Sequence, residues 1–96
     1  MNKITYEERK RIYAAALAKW GAEKQTTKAV EELGEAIVAI CKNALGCDDR
    51  NHLAEEIADA TIMLEQLRQI YNINASVSDW MDRKCAALQR RIKEEP

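Results

Sequence analysis

Apolar positions return every three or four residues along almost the whole chain, which is the period of helices packed on a partner and not the alternation of strands. Tyr6, Ile12, Tyr13, Ala16, Leu17 and Trp20 follow this period up to Gly21, and Thr5 with Glu8 three residues on forms a capping box that starts the first helix. A second helix is predicted over residues 23–44, with Ala29, Val30, Leu33, Ile37, Ile40 and Ala44 as its buried stripe. Gly34 lies inside that run and lowers helix propensity without breaking it.

Residues 45–51 contain Gly46 and the pair Asp48-Asp49, a helix stop followed by a fresh N-terminus. The third helix carries Leu53, Ile57, Ala60, Leu64, Leu67 and Tyr71 on one stripe, and residues 72–75 read as the next turn. Ser76, with Asp79 three residues on, is expected to open a fourth helix whose apolar face is Val77, Met81, Cys85, Leu88 and Ile92. The charged tail from Lys93 is expected to fray. The expectation is an all-α subunit of four helices, a single domain over residues 1–96, with helices two and three forming a hairpin completed into a bundle by self-association.

Composition sharpens this picture. Three glycines, one proline and no phenylalanine leave few punctuators of β-structure, and 96 residues bury only a modest core alone, so a second copy would help. Fifteen basic against sixteen acidic residues leave a net charge of -1, which gives no footprint for duplex nucleic acid. No apolar run approaches the roughly 20 residues that span a bilayer, and the first eleven residues are polar, so no membrane partner and a cytoplasmic location are expected. Cys41, Cys47 and Cys85 are an odd number and suit reduced thiols, while their spacing with His52 matches no standard zinc pattern.

The candidate chemistry lies in a repeated pattern. Glu31-Glu32-Leu33-Gly34-Glu35 and Glu55-Glu56-Ile57-Ala58-Asp59 each hold two acids, a branched apolar residue, a small residue and another acid. Acids three and four apart on a helix repel by a few tenths of a kcal/mol per pair, so each segment concentrates repulsion with no local return. Glu32, Glu35, Glu56 and Asp59 also border the apolar stripes rather than open water. In an antiparallel hairpin turning near residues 45 and 46, Glu32 opposes Asp59 and Glu35 opposes Glu56, since both pairs of numbers total 91. Four carboxylates beside an apolar seam need a neutralising cation. All-oxygen ligation suits Mg²⁺, or Mn²⁺, which commonly complete their shells with water and phosphate oxygens.

Glu-x-x-Glu on one helix and Glu-x-x-Asp on the next resembles the MazG-like members of the all-α nucleoside triphosphate pyrophosphohydrolase superfamily, over about residues 20–92. The resemblance implies Mg²⁺-dependent hydrolysis of an NTP or dNTP to the monophosphate and pyrophosphate, in a homodimer or homotetramer. It implies metal ligation by Glu32, Glu35, Glu56 and Asp59, and Glu32 with Glu35 are the candidates for activating water. Phosphoribosyl-ATP pyrophosphohydrolase shares this helical scaffold and stays open as an alternative. So does a non-catalytic helical module that dimerises or binds a regulatory nucleotide.

Further residues are candidates for the nucleotide substrate. Trp80, Lys84 and Arg91 fall within about 40° of one another on helix four, where the two cations would reach polyphosphate across the bundle. Gln25 and Lys28 precede Glu32 by two and one turns, roughly in line with it, and would meet base or phosphate. Trp20 and Trp80 would either stack on a base or fill the core, and Met63 would either floor the pocket or pack as core.

Overall fold

A computed structural model describes residues 3–96 and contains four α-helices and, among those residues, no strand: α1 Tyr6–Trp20, α2 Ala22–Ala44, α3 Arg50–Ile70 and α4 Asn74–Glu94. The capping box that starts α1 is fully formed. Thr5 Oγ1 accepts from the Glu8 N–H at 3.1 Å and the Glu8 carboxylate accepts from the Thr5 N–H at 3.2 Å. Gly21, at a φ of 86°, ends α1 and begins α2 with no intervening loop, a conformation that an L side chain would strain.

Between α2 and α3 the chain turns at Gly46 (φ 100°), and the Asp49 carboxylate caps α3 by accepting the His52 N–H at 3.1 Å. α4 starts two residues earlier than the Ser76 signal suggests, at Asn74, with Ile73 at its N-cap and no side-chain cap. The reason is local. Asn72 takes a positive φ of 53° just past α3, and the Arg68 guanidinium reaches over to donate to Asn74 O at 3.2 Å and Ser78 Oγ at 2.8 Å. At the other end α4 runs on through Glu94, held by Arg91 Nε donating to Glu95 at 3.1 Å, so only the last two residues lie outside it.

α2 and α3 lie antiparallel along one another, α1 packs against both, and α4 touches only α3. The seam between α2 and α3 is built from small and polar side chains: Gln25, Ala29, Ala36 and Ala39 on α2, and Glu56, Ala60, Met63 and Gln66 on α3 are all buried. Alanines let two helix backbones approach closely, and the spacings of seven and three residues between Ala29, Ala36 and Ala39 keep them on one line. The larger apolar residues expected in the core stand on the flank. Val30, Ile37 and Ile40 are 68, 61 and 52 % exposed, and Ile57 and Leu64 are about half exposed. At 100° per residue these side chains of α2 and α3 lie on the same side of the antiparallel pair and form one continuous apolar face.

α1 is fastened to α3 by a part-buried polar knot. Arg9 Nε and Nη2 donate to the two Glu65 oxygens at 3.1 and 3.4 Å, and the Tyr13 hydroxyl donates to the same carboxylate. Tyr13 is 6 % exposed; burial and the Glu65 charge push its hydroxyl up to about 12. Burial alone would raise Glu65, but the hydrogen bonds from Tyr13 and Arg9 outweigh it and hold the carboxyl below its usual range.

α4 buries no residue in this chain, and Trp80, Met81, Leu88 and Ile92 on it are each more than half exposed. The radius of gyration, 16.3 Å, exceeds the roughly 12.5 Å of a compact domain this size. No described helix is long and apolar enough to cross a membrane.

Candidate metal centre

The register of the α2–α3 pair brings acids of the two helices together. Glu32 and Glu35 are one turn apart on α2, Glu56 faces them from α3, and one carboxylate oxygen of each lies within 4.8 Å of the others. The three are not equivalent. Glu56 projects into the seam with its side chain 9 % exposed, Glu32 sits at the seam with 12 %, and Glu35 lies on the open edge.

Two oxygens in this group are orphans. Glu32 Oε1 is paired with Lys28 Nζ at 3.0 Å, and Glu56 Oε1 lies 3.8 Å from His52 Nε2, but Glu32 Oε2 and Glu56 Oε2 are both buried with no hydrogen-bond partner. A buried acceptor without a partner forfeits the hydration it had in the unfolded chain, at about 1–3 kcal/mol and more when charged. The crowding is also visible at Glu35, whose carboxyl is raised above the ordinary range first by the Glu32 charge, then by partial desolvation and by Glu56. The set is thus all oxygen, deficient in positive charge and open to a cleft, the donor set that hard divalent cations take. The cleft holds about 580 Å³ and is lined by Gly34, Glu35, Lys42, His52 and Glu56 among others.

Asp59, the fourth acid of the repeated pattern, is half-buried one turn beyond Glu56 and lies outside the group of three. In its place the structure brings up His52, which forms a second group with Glu55 and Glu56, again with ligand atoms within 4.8 Å. The signal for His52 was its spacing: four residues before Glu56, on the same helix face.

Gln25 and Lys28 line a larger groove of about 850 Å³ beside the acids, together with Trp20, Thr27, Met63 and Gln66. Lys28 bridges Glu32 and Glu31, at 3.0 and 3.8 Å. Gln25 is buried and donates from Nε2 to Gln66 Oε1 at 2.8 Å, while Trp20 stands half exposed at the rim instead of filling the core. Met63 is buried at the groove's floor.

The α4 candidates are not brought to the acids within this chain, because α4 makes no contact with α2. Lys84 and Arg83 lie on the Trp80 ring, at 5.7 and 5.2 Å from its centroid, and Arg91 is paired with Glu95. Cys41, Cys47 and Cys85 are free and exposed, and none joins a metal-ligand cluster among the described residues. Neither a protein-family model, nor a curated protein, nor a solved structure matches this chain with significance.

Proposed function

We propose that this chain is a Mg²⁺-dependent nucleoside triphosphate pyrophosphohydrolase, whose metal is held by Glu32, Glu35 and Glu56. The observation that carries the reading is the pair of orphaned oxygens. Glu32 Oε2 and Glu56 Oε2, on facing helices and both buried without a partner, support a cation bound between them. The two-helix acid pattern and its resemblance to MazG-like enzymes then supply the reaction class.

Bound Mg²⁺ (or Mn²⁺) would supply charge neutralisation at the triphosphate and lower the pKa of an attacking water. The protein's share is positioning. Lys28, held between Glu31 and Glu32 at the groove's edge, meets phosphate oxygens. Glu35, on the open edge of the acid group, is the carboxylate with room to take a proton from water. The groove between Trp20, Gln25 and Met63 takes the nucleoside, with the half-exposed Trp20 ring available for stacking on a base.

The active form is a homodimer or homotetramer. The apolar face of α2 and α3 and the uncovered α4 are too large an exposed surface for a lone subunit, and a second copy is the partner that covers both at once. In that assembly Trp80, Lys84 and Arg91 are available to a neighbouring copy's acids.

The test is pyrophosphate release from a panel of NTPs and dNTPs with Mg²⁺ or Mn²⁺. Monophosphate and pyrophosphate are the expected products, with a loss of about 100-fold or more in Glu56→Gln, since removing a metal ligand forfeits several kcal/mol of charge stabilisation. No turnover of any nucleotide with any divalent ion overturns the reading.

A further inference from the structure

The first turn of α3 carries a second set of ligand atoms that the acid group does not use. His52 is the single histidine of the chain. Its Nε2 lies 3.8 Å from Glu56 Oε1, too far for a hydrogen bond. It is the separation expected of two ligands on one ion. Donors about 2.1 Å from a common metal stand roughly 3.4 Å apart at a tetrahedral angle and at most about 4.2 Å apart when opposed. Glu55 adds a third donor, and the ligand atoms of all three lie within 4.8 Å of one another.

The spacing is helical in origin. Residues 52, 55 and 56 stand at i, i+3 and i+4, so their side chains share one face, the arrangement by which a histidine and its partner one turn away bind zinc from a helix. The independent mark of a ligand is Glu56. Its side chain is nine-tenths buried and its Oε2 has no partner, yet its other oxygen faces the imidazole. A carboxylate with one oxygen facing the imidazole and the other buried without a partner is suited to bridge two cations.

We propose that His52, Glu55 and Glu56 hold a second divalent cation of the transition series, Zn²⁺, Co²⁺ or Mn²⁺, with Glu56 bridging it to the ion of the acid group. Imidazole nitrogen is what separates the two positions. Mg²⁺ prefers all-oxygen shells, whereas Zn²⁺ and its neighbours gain from a nitrogen ligand. His52 and Glu55 are both exposed, so water or a substrate oxygen has access to the remaining coordination positions. The inference needs Glu56 to be a metal ligand but does not depend on what the chain hydrolyses.

The experiment uses the full chain, free of any histidine tag and labelled with ¹⁵N at histidine, titrated with Zn²⁺ and separately with Mg²⁺. One imidazole is present, so every histidine nitrogen signal belongs to His52. Zn²⁺ should shift its Nε2 resonance to saturation near one equivalent, and Mg²⁺ should leave it in place. By calorimetry, His52→Ala should lose Zn²⁺ affinity by at least the roughly tenfold that disturbing even a ligand's outer partner costs, with Mg²⁺ affinity unchanged. His52 is on the surface, so this variant keeps the fold, and Glu55→Gln should weaken Zn²⁺ in the same direction. A Zn²⁺ response that survives in Glu35→Gln separates this site from the acid group. Failure of Zn²⁺ to bind, an unmoved imidazole at saturation, or equal Zn²⁺ affinity in wild type and His52→Ala overturns the proposal.

Discussion

Gln25 Nε2 donates to Gln66 Oε1 at 2.8 Å, with both residues buried between α2 and α3, and their numbers total 91 just as those of Glu35 and Glu56 do. A buried amide pair in a seam whose other buried residues are alanines, Met63 and Glu56 acts on register more than on stability. Sliding one helix by a turn would leave both amides unpaired, at about 1–3 kcal/mol each. The same register sets Glu56 opposite Glu35.

Breaking that pair from one side should therefore cost more than removing it. Gln66→Leu strands the Gln25 donor and should lower unfolding free energy by about 1–3 kcal/mol in a urea titration, whereas Gln25→Leu with Gln66→Leu should recover most of the loss. A double variant as unstable as the two single losses added together would show that the amides act independently.

Gly34 sits within α2 beside the acids and lines the cleft, and a Cβ placed there would meet nothing within 4 Å. Alanine should then stabilise the helix by about 0.5–1 kcal/mol. If phosphate oxygens use that open space, Gly34→Ala should at the same time raise KM for the nucleotide. A thermal melt and a KM measurement on the same variant check the two halves separately.

The raised Glu35 carboxyl carries a pH signature. Its folded value stands above the unfolded one, so its contribution is fully present below the unfolded glutamate range, near pH 4.3, and is lost as pH rises through the folded value. Metal-free wild type should lose stability relative to Glu35→Gln across that window. The difference between the two proteins is the quantity to follow, because Glu65, held low by Tyr13 and Arg9 against its burial, trends the opposite way in both. Saturating Mg²⁺ at neutral pH should stabilise wild type, by about 2.7 kcal/mol at 100 times its Kd, and Glu35→Gln much less.

The exposed face of the hairpin predicts self-association. Ile37→Glu and Leu64→Glu place charges on side chains that are 61 and 49 % exposed in the single chain, so neither should disturb its fold. Both should dissociate the assembly in sedimentation velocity while circular dichroism stays helical. A wild type that sediments as a monomer at all concentrations contradicts this.

What could be read from the chain alone follows from how local each signal is. Thr5 and Glu8 cap one another across three residues, so their box was legible as spelled, and so was the helical period of all four elements. Which stripe a helix buries is a tertiary outcome. Val30, Ile37 and Ile40 form the more apolar line on α2, yet the line of Gln25, Ala29, Ala36 and Ala39 faces α3, because alanines permit the closer approach and the amides find each other. Glu32, Glu35 and Glu56 were legible through their repeated spacing, whereas Asp59 stands outside their group although the same pattern names it. His52 was weighed only beside the cysteines because the acids drew the pattern, though it precedes Glu56 by one turn. The positions of Trp80, Lys84 and Arg91 depend on what α4 packs against, and within one chain it packs only on the end of α3.

The claim beneath all of this is that carboxylates from α2 and α3 share one cation. An anomalous difference map from a crystal soaked in Mn²⁺ measures it directly. The account predicts a peak within about 2.5 Å of oxygens from both Glu56 and at least one of Glu32 and Glu35. A map with no peak between the two helices, or with Mn²⁺ held by one helix alone, would contradict it.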